Sequence, residues 1–179
     1  MKIGNGCWSA IVLLVLSSSA VAGDYNEYKI HSESQSSSSP YISLKCISGQ
    51  LRFSIHWNGN IGTAGRYRRH LVLPGELGDT HILLKVLADQ TSTGIIDNDQ
   101  QVKSLIKLIL LNIETGYMVI EVFPEGSDEV TGQWESGSYD YKTFLDAVNA
   151  VAKECNWDMA KPIAQSVRTV NPGAPYDDK

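Results

Sequence analysis

Long apolar runs, basic excess and recognisable catalytic motifs are all missing from this 179-residue chain, and each absence removes a class of function. The only sustained apolar run, residues 10–16, falls far short of the ~20 residues that a membrane-spanning helix needs, so no stable membrane span is expected. Fifteen basic against twenty acidic residues leave a formal charge of −5, whereas a nucleic-acid binder concentrates basic charge on one face. No G-x-S-x-G elbow offers a serine nucleophile, and H-E-x-x-H is absent. The four histidines, His31, His56, His70 and His81, are scattered, and none stands four residues from another on a predicted helix. The glycine-rich stretch NGNIGTAG at residues 58–65 lacks the lysine of a phosphate-binding loop and reads as a turn. The acid pairs Asp97/Asp99 and Glu125/Asp128 fall at a helix cap and a turn, where carboxylates serve local hydrogen bonding. No catalytic residue, metal site or cofactor is expected.

What is present begins with an export signal. Residues 1–22 combine Lys2, the short apolar run and Ala20-Val21-Ala22, the pattern of a cleavable signal peptide. Cys7 precedes the apolar run and leaves with it. Removing 22 of the 179 residues leaves 157, suited to one domain with an ordinary core. The two remaining cysteines, Cys46 and Cys155, are then an even pair in an oxidising compartment, most simply a disulfide. Zinc binding by the two thiols lacks the histidine spacing that such sites use.

The stretch YISLKCISGQLRFSIHW organises the rest of the chain. Two alternating runs flank Ser48-Gly49, a dipeptide suited to a two-residue hairpin turn. Placing Ile47 opposite Gln50 sets Cys46 opposite Leu51, Leu44 opposite Phe53 and Ile42 opposite Ile55, all on one face. Ser43, Lys45, Arg52, Ser54 and His56 occupy the other, which suits a sheet with one packed side and one wet side.

Residues 23–39 read as a Ser-rich flexible lead-in, in which Tyr25, Tyr28 and Ile30 leave room for a short edge strand. Residues 66–73 predict a strand with Arg66, Arg68 and His70 sharing one face. Residues 80–88 predict a central strand covered in part on both sides, and residues 94–96 a short one. Asp97-Asn98-Asp99 caps a helix whose Val102, Leu105, Ile106 and Ile109 form a buried stripe. A second hairpin is expected from residues 117–123 and 129–135. Thr143 with Asp146 reads as a loose capping box ahead of a last helix, whose stripe Phe144, Val148 and Val151 ends on Cys155. The expected fold is α+β: an antiparallel sheet of about six strands, including two hairpins, packed on one side by two helices and tied by one disulfide. It occupies residues 40–160 as a single domain, with a loose tail over residues 161–179.

The candidate binding residues are Arg66, Arg68 and His70 together with Arg52 and His56, a local positive surface in an acidic protein, suited to carboxylate or phosphate groups. Charged side chains on a solvent-facing strand also serve simply to protect a sheet edge. Trp57, Trp134 and Trp157 offer stacking surfaces for sugar rings, although tryptophan at element ends more often packs, and Trp157 is read as covering the disulfide.

Four segments in order carry a family resemblance: SPYISLKCISGQLRFSIHW, Thr93-Gly94 before a helix, YMVIEVFPEGSDEVTGQW, and a helix closing on Cys155-Asn156-Trp157. Together they resemble the VasI/TagO-type proteins associated with bacterial type VI secretion. The resemblance covers roughly residues 39–157 and implies scaffold roles for Cys46, Cys155, Trp57 and Trp157, with no catalytic residue carried over. It implies a soluble, non-enzymatic accessory factor of the periplasm that binds another envelope protein or peptidoglycan. A periplasmic inhibitor or immunity protein, neutralising a toxin or a wall-degrading enzyme, suits the same small, acidic, disulfide-tied build.

Overall fold

Ser48 and Gly49 both take positive φ, 53° and 76°, the turn geometry whose twist matches a tight antiparallel hairpin. Around this turn β2 (Tyr41–Ile47) pairs with β3 (Gln50–His56) in the expected register: Ile47 opposite Gln50, Cys46 opposite Leu51, Leu44 opposite Phe53 and Ile42 opposite Ile55. The computed structural model describes residues 25–31, 40–73, 80–115, 119–120, 141–164 and 169–170. The other strands are β1 (Glu27–His31), β4 (Tyr67–Leu73), β5 (Thr80–Val86), β6 (Ser92–Ile95), β7 (Val119–Ile120) and β8 (Thr169–Val170). With helices α1 (Asp99–Thr115) and α2 (Tyr141–Glu154) they form an α+β fold.

Among the described residues the sheet has eight strands, all paired antiparallel, in the order β1-β2-β3-β6-β5-β4-β7. β8 pairs with β5 at His81 and Ile82. Because β4 holds the other edge of β5 at these same residues, β8 takes the edge that β6 holds at Lys85 and Val86. The sheet thus extends past the six strands expected, using two segments read as loose. The lead-in supplies β1, fastened to α2 by hydrogen bonds from Asn26 Nδ2 and Tyr28 Oη to the Glu154 carboxylate. Residues beyond 160, read as tail, supply β8. Of the second expected hairpin, Val119 and Ile120 pair with β4, and residues 129–135 lie outside the described residues.

Both helices bury the predicted stripes: Val102, Leu105, Ile106 and Ile109 of α1, and Phe144, Val148 and Val151 of α2, share one apolar cluster with the inward residues of β2 and β3. Asn98 is the N-cap of α1, its side-chain oxygen accepting from the Gln101 amide at 3.1 Å. Asp99 accepts from the Leu51 amide at 2.9 Å and so pins the helix start to β3. α2 begins at Tyr141, so Thr143 lies inside the helix and is not its cap. It ends where Asn156 turns left-handed at φ 50°: the Trp157 amide reaches back to the Ala152 carbonyl and the Asn156 amide to that of Lys153, satisfying the last carbonyls. This ending sets Cys155 against the sheet. Cys46 and Cys155 are joined, 109 residues apart, with Cα atoms 5.5 Å from one another.

β4 departs from simple alternation. Arg68 stands opposite Leu84, Arg69 opposite Leu83, and Leu71 opposite Ile82, so three steps along β4 match two along β5 and His70 is the extra residue of a bulge. The change of parity turns Leu71 and Leu73 into the core while leaving Arg68 facing the same way. Arg68 is therefore 1% exposed, not on a wet face.

Candidate functional site

The sheet face away from the helices carries the polar side chains. Its rows follow from the register: His31, Tyr41, His56 and Ser92 in one; Lys29, Ser43, Ser54, Gly94, Lys85 and Tyr67 in the next; Glu27, Lys45 and Arg52 in a third. The face is only partly wet. Ser43 is buried and donates to Glu27 at 2.7 Å, and Ser54 is buried beside His56. Burial alone would raise the Glu27 pKa, but the hydrogen bonds from Ser43 and Lys45, with the charges of Lys45 and Lys29, hold it below the ordinary carboxylate value.

His56 is the centre of a connected network. Its ring stacks on Tyr41 at 4.7 Å between centroids, and Tyr41 contacts His31 at 5.2 Å, with the Lys29 ammonium 5.0 Å from the Tyr41 centroid. Ser92 Oγ donates its proton to Asp89 at 2.8 Å, so it accepts from His56 Nδ1, also at 2.8 Å. That assigns the Nδ1–H tautomer and leaves Nε2 to accept from Ser54 Oγ at 3.0 Å. Asp89 in turn accepts from the amides of Thr91 and Ser92 and closes the turn between β5 and β6. Burial pushes the Asp89 carboxyl up, yet the Ser92 hydroxyl and the two amides outweigh it and hold the group below its ordinary value. Partial burial pushes the His56 pKa down, more than Glu27 and Asp89 pull it up. A neutral histidine beside a serine hydroxyl has the form of a base and nucleophile. Here, however, Ser54 is buried and a serine, not a carboxylate, holds Nδ1. The network's chemistry is that of a clamp fixing β3 to the β5–β6 turn.

Beside it lies a groove of about 380 Å³ along β5, within the size range of small-ligand sites. Tyr67, Leu83, Leu87 and Ile96 give it apolar walls, and the backbones of Gly65 and Gly94 line it between them. Its lining includes Ile95, Ile96 and Asp97, which follow the last β5–β6 pair at Lys85–Gly94. Gly94 has a second duty, since a Cβ there would meet the Phe53 carbonyl oxygen at 2.2 Å and Ser54 Cα at 2.9 Å. Only glycine lets β3 and β6 approach this closely. Lys85 and Asp97 both line the groove, and neither is ion-paired with any described residue.

The structure disperses the basic cluster expected from the sequence. Arg52 and His56 lie on the open face of β3, both half-buried. Arg66 is exposed but precedes β4, three strands away, and Arg68 lies on the opposite face in the core, where a methyl group on Gly62 would come within 2.8 Å of its guanidinium. His70 is the bulge residue. Among the side chains described, the lysines and arginines in the open-face rows are Lys29, Lys45, Arg52 and Lys85. Trp57 is buried, its indole donating to Thr93 Oγ1 at 3.3 Å, and Trp157 packs against the core; Trp134 lies outside the described residues. Lys85 and Asp97 carried no signal as a pair, because one lies in a hydrophobic strand and the other ahead of a helix cap.

Among the described residues no group of three or more His, Cys, Asp or Glu side chains converges to hold a metal, and no helix is long and apolar enough to cross a membrane. No family model, curated protein or solved structure matches the chain.

Proposed function

We propose that this chain is an exported binding protein of the bacterial envelope, an accessory factor that performs no reaction itself and works through the open face of its sheet. The observation that carries this reading is the groove beside β5: a ligand-sized, largely apolar depression set into the polar face of a sheet whose other face is held by two helices and a disulfide. The Cys46–Cys155 bond supports an oxidising compartment, since such bonds persist outside the cytosol. The resemblance to type VI secretion-associated proteins and the signal-like residues 1–22 support the periplasm of a Gram-negative cell. The partner class is another envelope protein or peptidoglycan.

The test is site-specific photo-crosslinking in living cells from the groove position Ile96, with the opposite-face position Leu111 on α1 as control; both are exposed. Capture of an exported protein or a cell-wall fragment from Ile96 alone is the expected result. A single wall-degrading enzyme captured there would assign the chain as an inhibitor. Equal capture from both positions, or intact mass showing an uncleaved chain with free thiols, would overturn the reading.

A further inference from the structure

Among the described residues only Asn58 is an asparagine followed by glycine. Asn58 and Gly59 are both exposed, in the bend where the chain leaves β3 for the loop over residues 58–65. An asparagine side chain can close on the next backbone nitrogen as a cyclic imide, a reaction within the chain that proximity favours. Glycine, without a Cβ, leaves that nitrogen unshielded and its backbone free to reach the closing geometry. The fold adds no shield: a Cβ built on Gly59 meets no atom within 4 Å, and the Gly59 amide makes no backbone hydrogen bond to a described residue. Asn60 is the contrast. Its Nδ2 donates to Gln90 Oε1 at 3.0 Å, its Oδ1 accepts from the Gly62 amide at 2.8 Å, and β-branched Ile61 follows it.

We propose that Asn58 is a self-modification site, converting without an enzyme to a mixture of aspartate and isoaspartate. The Gly59 nitrogen attacks Asn58 Cγ, and a new C–N bond forms as the Cγ–Nδ2 bond breaks. The Gly59 amide proton, passed through solvent, leaves with the side-chain nitrogen as ammonia. Water then opens the imide. Addition at Cγ gives aspartate; addition at the main-chain carbonyl leaves the chain running through Cγ, with an extra carbon in the backbone and a free carboxylate beside it. That carbon falls between two anchors. The Trp57 amide donates to the Thr91 carbonyl at 2.9 Å and the Ile61 amide to that of Gln90 at 3.0 Å, so residues 58–60 span adjacent acceptors of the β5–β6 turn. Trp57 is also held by its buried ring, so the lengthened link releases Ile61. Gly65, held separately by the Val86 carbonyl at 2.9 Å, stays in place. The site goes beyond the binding role and does not depend on it.

The test is peptide mapping by mass spectrometry of the purified full chain aged in mildly alkaline buffer, with fragmentation that separates isoaspartate from aspartate. Asn58 is expected to convert about tenfold faster than Asn60, and faster still as pH rises, because the attacking nitrogen must shed its proton. Gly59→Ala is the control. Position 59 has open space and no left-handed φ, so the fold accepts the methyl group, and conversion should slow about tenfold. Amide exchange on the aged protein should show protection lost at Ile61 and kept at Gly65. Asn58→Asp, which adds the charge without the extra carbon, should keep both. Conversion of Asn58 no faster than that of Asn60, or at the same rate in Gly59→Ala, would overturn the site. Isoaspartate accumulating while Ile61 stays protected would overturn the loosening of the loop.

Discussion

Arg68 and Leu84 stand opposite one another on the core face of the sheet, a long cation and an aliphatic side chain in the same buried row. Deleting a fully buried side chain of this size leaves a void and removes whatever its guanidinium holds. Arg68→Ala is therefore expected to cost about 2–5 kcal/mol. Arg66→Ala, at an exposed position two residues earlier, should change stability by no more than about 0.5 kcal/mol. Urea unfolding of the two variants separates a structural arginine from a surface one; equal, small effects would contradict the inward placement.

Cys46 and Cys155 close a loop of 109 residues, which in the chain-entropy view stabilises the fold by roughly 3–5 kcal/mol. Cys46→Ser and Cys155→Ser should lose similar amounts, and the double variant should be no worse than either. Additive losses would mean that each cysteine contributes through its own packing and not through the bond.

Gly94→Ala places a methyl group where the Phe53 carbonyl already lies, so β3 and β6 must separate. The expected loss is about 1–3 kcal/mol or more, the range for overpacking against groups that cannot yield. Gly65→Ala meets no neighbouring atom, but its φ of +88° strains any side chain, so its cost of about 1 kcal/mol is conformational. Thermal unfolding with amide-exchange mapping of β3 and β6 distinguishes them: only the Gly94 variant should lose protection at Ser54 and Thr93.

His56 makes stability depend on pH. Its pKa in the fold lies below the ordinary histidine value, because partial burial disfavours the charged ring. As pH falls through that ordinary value the unfolded chain takes up a proton that the folded one resists, so stability declines below about pH 6.5. The depressed carboxyls Asp89 and Glu27 add their own loss only further down, at and below the ordinary carboxylate range. His56→Gln should flatten stability between pH 7.5 and 5.5 while leaving the steeper acid limb in place. An unchanged slope in that window would show that the ring is not held neutral.

The β2–β3 register was legible because three local signals agree: strict alternation, a two-residue turn, and an inward cysteine. The helix stripes were legible for the same reason, being periodic over several turns. Arg68 was misplaced because one bulge residue changes the parity of a strand, and nothing in YRRHLVL marks His70 as the extra one. β1 was visible only as room for an edge strand and β8 not at all, because their pairing is decided by distant partners, β2 and β5, more than by their own short, mixed sequences. The groove escaped for a further reason: it is a property of the space between residues.

β6 has one more consequence. Its four buried residues are, among the described strands, the sole link between the β1-β2-β3 half of the sheet and the half built on β5 and β4. A chain emerging amino end first completes the β2–β3 and β4–β5 hairpins before β6 exists. Until residues 92–95 follow, no described strand is available to join those two hairpins into one sheet. Cys155 lies sixty residues beyond Ile95, so the bond to Cys46 can form only once every residue of β6 has been made.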